Sequence, residues 1–179
     1  MGSNHAASFR TIYTADQIQK RVSDLAADIS RTLGGGDLLC LVVLRGGIFF
    51  GADLIRQLKG FDRIDIDFVR LASYAGIKSS GDVKIRGHLP PVAGCNVLVI
   101  EDLIDTGHTL TVLHQALLGV GAQSVRYAVL VNKPHRRRKE FKADFVAFDL
   151  KEDAYLVGYG MDYENNYRAL THIAAVDKK

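Results

Sequence analysis

The sequence predicts an α/β fold, a mostly parallel, doubly wound sheet with helices on both faces. Two observations carry this. Short continuous apolar runs at 38–44 and 97–100 are bounded by polar residues, the pattern of strands buried on both faces. Segments with apolar residues at helical spacing alternate with them, and strands separated by helices imply parallel crossover connections.

Each element follows from local chemistry. Thr14 with Gln17 three positions later reads as a capping box, after which Ile18, Val22, Leu25, Ile29 and Leu33 recur at helical spacing up to the stop at Gly34, Gly35 and Gly36. A buried strand at 38–44 runs into the turn Arg45-Gly46-Gly47, and a helix is expected over 48–58. Apolar residues alternate with Asp65 and Asp67 over 64–68, as in a strand. Beyond the strand at 97–100, a helix is expected at 109–118, a break at 119–121, a strand through 125–131 and a further one at 145–148.

The stretch 72–92 is rich in Ser and Gly, carries Pro90-Pro91 and lacks apolar periodicity, so it reads as a long loop or loose hairpin. Unstructured loops of that length are uncommon in compact domains and often serve as active-site lids. At 179 residues the chain holds material for one domain core, with room for a small appended lobe. Residues 1–10 are expected to be flexible and to lack a signal-peptide h-region, and no apolar run approaches the roughly 20 residues needed to span a bilayer. A net charge of +3 is too small for a polyelectrolyte, so phosphate affinity must come from placed groups. The two cysteines, Cys40 and Cys95, sit in or beside apolar runs and read as buried thiols of a reducing compartment, which points to the cytoplasm.

The densest chemical signal is 97–110. An apolar strand ends in Glu101-Asp102 and passes through Leu103-Ile104 into Asp105-Thr106-Gly107-His108-Thr109 at a helix start. Ligands of open α/β sheets bind at that end of the strands. Small hydroxyl residues and a glycine at a helix N-terminus let backbone N–H groups converge on a phosphate. Two adjacent carboxylates beside it would repel the ligand unless they hold cations or sugar hydroxyls, a role that magnesium and a ribose satisfy.

The segment E-D-L-I-D-T-G-H-T-L at 101–110 resembles the phosphoribosyl diphosphate signature of type I phosphoribosyltransferases, in their hypoxanthine-guanine branch. L-R-G-G at 44–47 resembles the family's pyrophosphate loop, and Ser73-Tyr74 its mobile lid. V-N-K-P at 131–134 and V-G-Y-G-M-D-Y-E-N-N-Y-R at 157–168 resemble the base-reading segment and the C-terminal metal and pyrophosphate segment. The likeness covers nearly the whole chain. It implies a hood lobe built from the termini, a magnesium-dependent transfer from phosphoribosyl diphosphate to a 6-oxopurine, and a homodimer or homotetramer.

What the resemblance implies for individual residues is specific. Asp105 would take the N7 proton as general base, where the plainer reading is a helix N-cap. The adenine and orotate branches carry other residues at that position, so Asp105 itself points to a 6-oxopurine. Glu101 and Asp102 would bind the ribose hydroxyls, directly or through magnesium, and Asp162 would ligate a second magnesium. Thr106, Gly107, His108 and Thr109 would hold the 5′-phosphate. Arg45, Gly46 and Arg168 would contact pyrophosphate, with a non-proline cis peptide in the loop of Arg45. Lys133 would donate to the purine O6, Tyr155 would stack on the base and the backbone of Leu156 would read its edge, although Tyr155 taken alone reads as core packing. Hypoxanthine, guanine and xanthine stay open. So does a regulatory or RNA-binding relative with little catalysis, although the basic run 135–139 reads as a solvated face or subunit contact before it reads as a nucleic-acid patch. A phosphoacceptor domain would explain the acidic strand end but not the two glycine-bearing turns.

Overall fold

The computed structural model describes residues 8–73, 83–86, 88–136 and 141–177. The chain forms β1 (Ser8–Tyr13), α1 (Ala15–Leu33), β2 (Asp37–Leu44), α2 (Ile48–Ile55), β3 (Arg63–Ser73), β4 (Val83–Arg86), β5 (Asn96–Ile104), α3 (His108–Gly119), β6 (Ser124–Asn132), β7 (Phe145–Asp149), β8 (Tyr155–Val157) and β9 (Ile173–Asp177). The main sheet has the order β4-β3-β2-β5-β6-β7, in which only the β3–β4 pairing is antiparallel.

The apolar run of β2 explains the layering. Successive side chains point to opposite faces of a sheet. Leu38, Cys40 and Val42 therefore enter one core with Ile18, Val22, Leu25 and Ile29 of α1 and Phe50 and Leu54 of α2. Leu39, Leu41 and Val43 enter the other with Leu110, Leu113 and Leu117 of α3. Helices thus cover both faces, as expected. Helix α1 begins as its capping box predicts, with Thr14 Oγ1 accepting from Gln17 N and Gln17 Oε1 accepting from Thr14 N.

Strand order reverses between β2 and β5: from β2 the chain moves outward to β3, and from β5 it moves the other way to β6 and β7. The connections α2 and α3 lie on opposite faces, so the loops after β2 and β5 part and leave a crevice at the C-terminal strand ends.

Several expectations need correction. Ser8–Arg10 of the stretch expected to be flexible belong to β1, because Ser8–Tyr13 pairs antiparallel with β9 from the other end of the chain. With β8 these strands form a second sheet, β1-β9-β8. The expected helix 48–58 ends at Ile55, and β5 continues past Glu101 to Ile104 because it stays paired with β6 through Ile104 and Asn132. Of the stretch 72–92, read as a long loop or loose hairpin, the described part follows the hairpin alternative, with β4 pairing antiparallel to β3. Both cysteines are free. Burial pushes the Cys40 thiol up to about 12, whereas Cys95 is only partly buried.

The second sheet is tied to the helices by Tyr159, whose Oη donates to Asp53 Oδ2 at 2.6 Å, while Gln19 of α1 donates to the same oxygen at 2.9 Å. Leu156, Tyr159, Met161, Ile173 and Ala175 complete the contact by entering the α1/α2 core.

Candidate active site

The loop after β2 and the acidic end of β5 meet directly. The Leu44–Arg45 peptide is cis. Gly46 lies so close to Asp102 that a Cβ there would collide with the Asp102 carboxylate. Gly160, at φ +105°, abuts the Gly46 carbonyl from the other side. A side chain at either glycine would separate these segments, which is why the sequence has none there.

Glu101 is buried at 8% exposure, and its carboxyl sits well above the ordinary range because burial and the neighbouring Asp102 both oppose its ionisation. Its Oε1 accepts from Asp102 N at 3.2 Å. Two adjacent carboxylates under such strain are oxygen donors for a hard cation. Magnesium binds through one or two carboxylates plus water and substrate oxygens rather than in a protein cage. The donor set at 101–102 fits that ion, even though no group of three or more His, Cys, Asp or Glu side chains converges among the described residues. Asp162 stands apart from this pair: its Oδ1 is ion-paired with Arg168 Nη2 at 2.6 Å, and Oδ2 accepts from Asn165 N. Arg168 also donates to the Gly160 carbonyl at 2.7 Å, so the same arginine braces the segment that touches Gly46.

Gly107 caps α3 in the left-handed region at φ +81°, and His108 N donates to Thr106 Oγ1 at 3.4 Å, while the first N–H groups of a helix have no intrahelical partner. A cavity of about 260 Å³ lined by Glu101, Asp102, Asp105, Thr106, Gly107 and Thr109 adjoins this turn. The cap is therefore not Asp105.

Asp105 and Asp102 also line the neighbouring cavity, about 340 Å³, with Lys133, Tyr155, Leu156 and Asp162. That volume suits a small molecule. Lys133 is buried at the end of β6, donates from Nζ to Ala154 O at 2.6 Å and has a pKa below the ordinary lysine value, because burial disfavours its charge more than Asp105 and Asp153 support it. Two further ammonium donors remain for a ligand. Tyr155 is half exposed, and its ring meets Tyr163 edge-on with centroids 5.7 Å apart. It is not a core residue. Residues that sequence reasoning missed here are Arg136, Asp153 and Met161, which also line the cavity. Met161 lies within the segment 157–168 and Arg136 within the basic run 135–139, but neither pattern singles out those residues, and Asp153 carries no sequence signal.

Of the lid, Ser73 ends β3 and Tyr74 lies outside the described residues. Of the basic run, the described His135 and Arg136 turn toward Asp153, and Arg136 also reaches Asp105, so Arg136 belongs to the cavity rim rather than to a separate basic face.

Comparison with known proteins identifies the family. The model of the family described as phosphoribosyl transferase domain matches residues 8–164. The hypoxanthine-guanine phosphoribosyltransferase of Rattus norvegicus is 35% identical over 170 residues, covering 90% of this chain and 78% of the relative, and that of Homo sapiens is 36% identical over the same extent. A crystal structure of a hypoxanthine-guanine phosphoribosyltransferase from Bacillus anthracis superposes with TM-score 0.87 at 35% identity, covering 94% of this chain and 98% of the other. A hypoxanthine phosphoribosyltransferase from Staphylococcus aureus gives 0.86 at 32% identity, covering 94% and 91%.

Proposed function

The chain belongs to the phosphoribosyl transferase domain family, in its hypoxanthine-guanine branch, and from that premise we propose how its cavity performs the purine-salvage reaction. The enzyme transfers a phosphoribosyl group from phosphoribosyl diphosphate to hypoxanthine or guanine, releasing pyrophosphate. The observation that carries the residue assignment is the convergence of Asp105, Lys133, Tyr155 and Leu156 on one cavity, next to a helix N-terminus that also shares Asp105.

In this reading the 5′-phosphate sits on the N-terminus of α3, held by backbone N–H groups from Thr106 to Thr109, His108 included. Arg45, Gly46 and Arg168 face the pyrophosphate. Glu101 and Asp102 would hold the ribose hydroxyls and a magnesium ion, and Asp162, once released by Arg168, would offer a second metal position. Magnesium held there would supply positive charge to offset that on the departing pyrophosphate. The base lies against Tyr155, with Lys133 donating to O6 and the Leu156 backbone at its edge. Asp105 accepts the N7 proton as N9 closes on the anomeric carbon. The protein's share is positioning and charge stabilisation.

Discrimination follows from Lys133. A buried donor built for O6 is left unpaired by a purine that lacks it, a loss of about 10⁴–10⁵ in specificity for sites of that kind. A transfer assay offering hypoxanthine, guanine, xanthine and adenine separately should show turnover of the first two and rejection of adenine. Comparable turnover of adenine would remove Lys133 from the role. Silence with all four bases from folded protein would favour the regulatory or RNA-binding alternative.

The 179 residues form a single phosphoribosyltransferase domain in this reading. No helix among the described residues is long and apolar enough to cross a membrane. Free thiols and a phosphorylated substrate suit the cytoplasm. A second copy of the chain covers the apolar face formed by Ile48, Ile66 and Phe68, all more than 40% exposed, around a groove of about 280 Å³ that Val42 and Ile55 also line. Phe68→Glu should therefore lower the mass measured by light scattering to that of one chain. An unchanged oligomeric mass would place the contact elsewhere.

A further inference from the structure

Asp105 does not stand alone at the cavity rim. Directly after Lys133 the chain makes the short turn Pro134–Arg136, closed by Arg136 N donating to Lys133 O at 3.1 Å, and this brings residues 133 and 136 to the same cavity. The Arg136 guanidinium donates through Nε to Asp105 Oδ1 at 3.0 Å and through Nη1 to Asp153 Oδ2 at 3.1 Å. One planar group thus spans two carboxylates delivered by different segments, one after β5 and one before β8. His135 Nε2 lies 4.0 Å from the other Asp153 oxygen.

The consequence for Asp105 is geometric. A terminal carboxylate torsion is broad, so an unrestrained aspartate samples many orientations. Here Oδ1 is held by Arg136 at the cavity rim, and among the described residues no protein donor takes Oδ2. We propose that Arg136 is a positioning residue for the transfer step: braced against Asp153, it fixes the rotation of the Asp105 carboxylate so that Oδ2 faces the purine. The inference rests on the reading of Asp105 as general base. In the step it supports, the N7–H proton passes to Oδ2 while the N9 lone pair forms the bond to the anomeric carbon. The pyrophosphate leaves with the electrons of the bond that breaks.

The fork matters more than the charge. Lysine would supply a cation at a single point and could not bridge Asp105 and Asp153 in one plane. The fold has little need of the pair, since exposed ion pairs contribute little to stability and Arg136 is 44% exposed. Loss of the bridge should therefore appear in the reaction and not in the melting temperature.

The test uses the full chain with magnesium, phosphoribosyl diphosphate and hypoxanthine, read as the single-turnover transfer rate. Displacing a reacting group by about 1 Å costs on the order of 10²-fold, so Arg136→Gln and Arg136→Lys should both fall by about that factor, with the KM for phosphoribosyl diphosphate and the melting temperature little changed. Added guanidinium should restore part of the rate to Arg136→Gly, and Arg136→Gln should cost nothing further when combined with Asp105→Asn. Parent-like transfer by Arg136→Gln or Arg136→Lys, while Asp105→Asn alone collapses, would overturn the positioning role and leave the base intact. A parent-like rate in Asp105→Asn would instead remove the general base, and this inference with it.

Discussion

Asp105→Asn is expected to lower the single-turnover transfer rate by about 10²–10⁴, the usual contribution of a positioned general base. Asparagine keeps the shape of the side chain and leaves a carbonyl oxygen for Arg136, but it cannot take the N7 proton. The same substitution should slow the reverse reaction, pyrophosphate with nucleotide, to a similar extent, because forward and reverse share one transition state. The KM for phosphoribosyl diphosphate should move little, since the proposed cradle at 106–109 and the acidic pair at 101–102 are left intact. Helix capping makes the opposite prediction, because Asn caps a helix as well as Asp does. The structure already argues against capping: the residue at the start of α3 is Gly107, and the Asp105 carboxylate turns to Arg136 and the cavity instead.

Gly46→Ala should be the second most damaging change. Its Cβ would enter the space of the Asp102 carboxylate, and the loop cannot retreat freely because Gly160 already presses on the Gly46 carbonyl. Something must shift, and each available shift damages the site: Asp102 leaves the acidic pair, or the pyrophosphate loop leaves the crevice. Binding of phosphoribosyl diphosphate, measured by calorimetry with magnesium present, should weaken, and transfer should fall on the order of 10²-fold. Gly119→Ala supplies the contrast. That position is helical, and an added Cβ there meets nothing within 4 Å, so binding and rate should stay at the parent level. Unchanged affinity in Gly46→Ala would dissociate the loop from the pyrophosphate site.

Much of the molecule was legible because its signals are local. The capping box at Thr14 and Gln17, the alternation of β2 between two cores and the glycine ahead of α3 each operate within a few residues of chain. The second sheet escaped that reading. Tyr155–Val157 is three residues long and has no period, and β1 finds its partner β9 across almost the full length of the chain. Arg136 was hidden differently, as one cation in a basic run whose composition says nothing about which way each side chain turns.

By itself, then, the sequence determined the doubly wound sheet, the glycine turn ahead of α3 and the family, because helix period, strand burial and a contiguous signature are written in neighbouring residues. Tertiary structure decided the rest. It brought Gly46, Asp102 and Gly160 into contact, buried Lys133 enough to lower its pKa, left Tyr155 at the cavity wall, and set Arg136 between Asp105 and Asp153. Each of these depends on segments far apart in the chain meeting at the ends of parallel strands. Desolvation, steric exclusion and ion-pair geometry exist only once they have met.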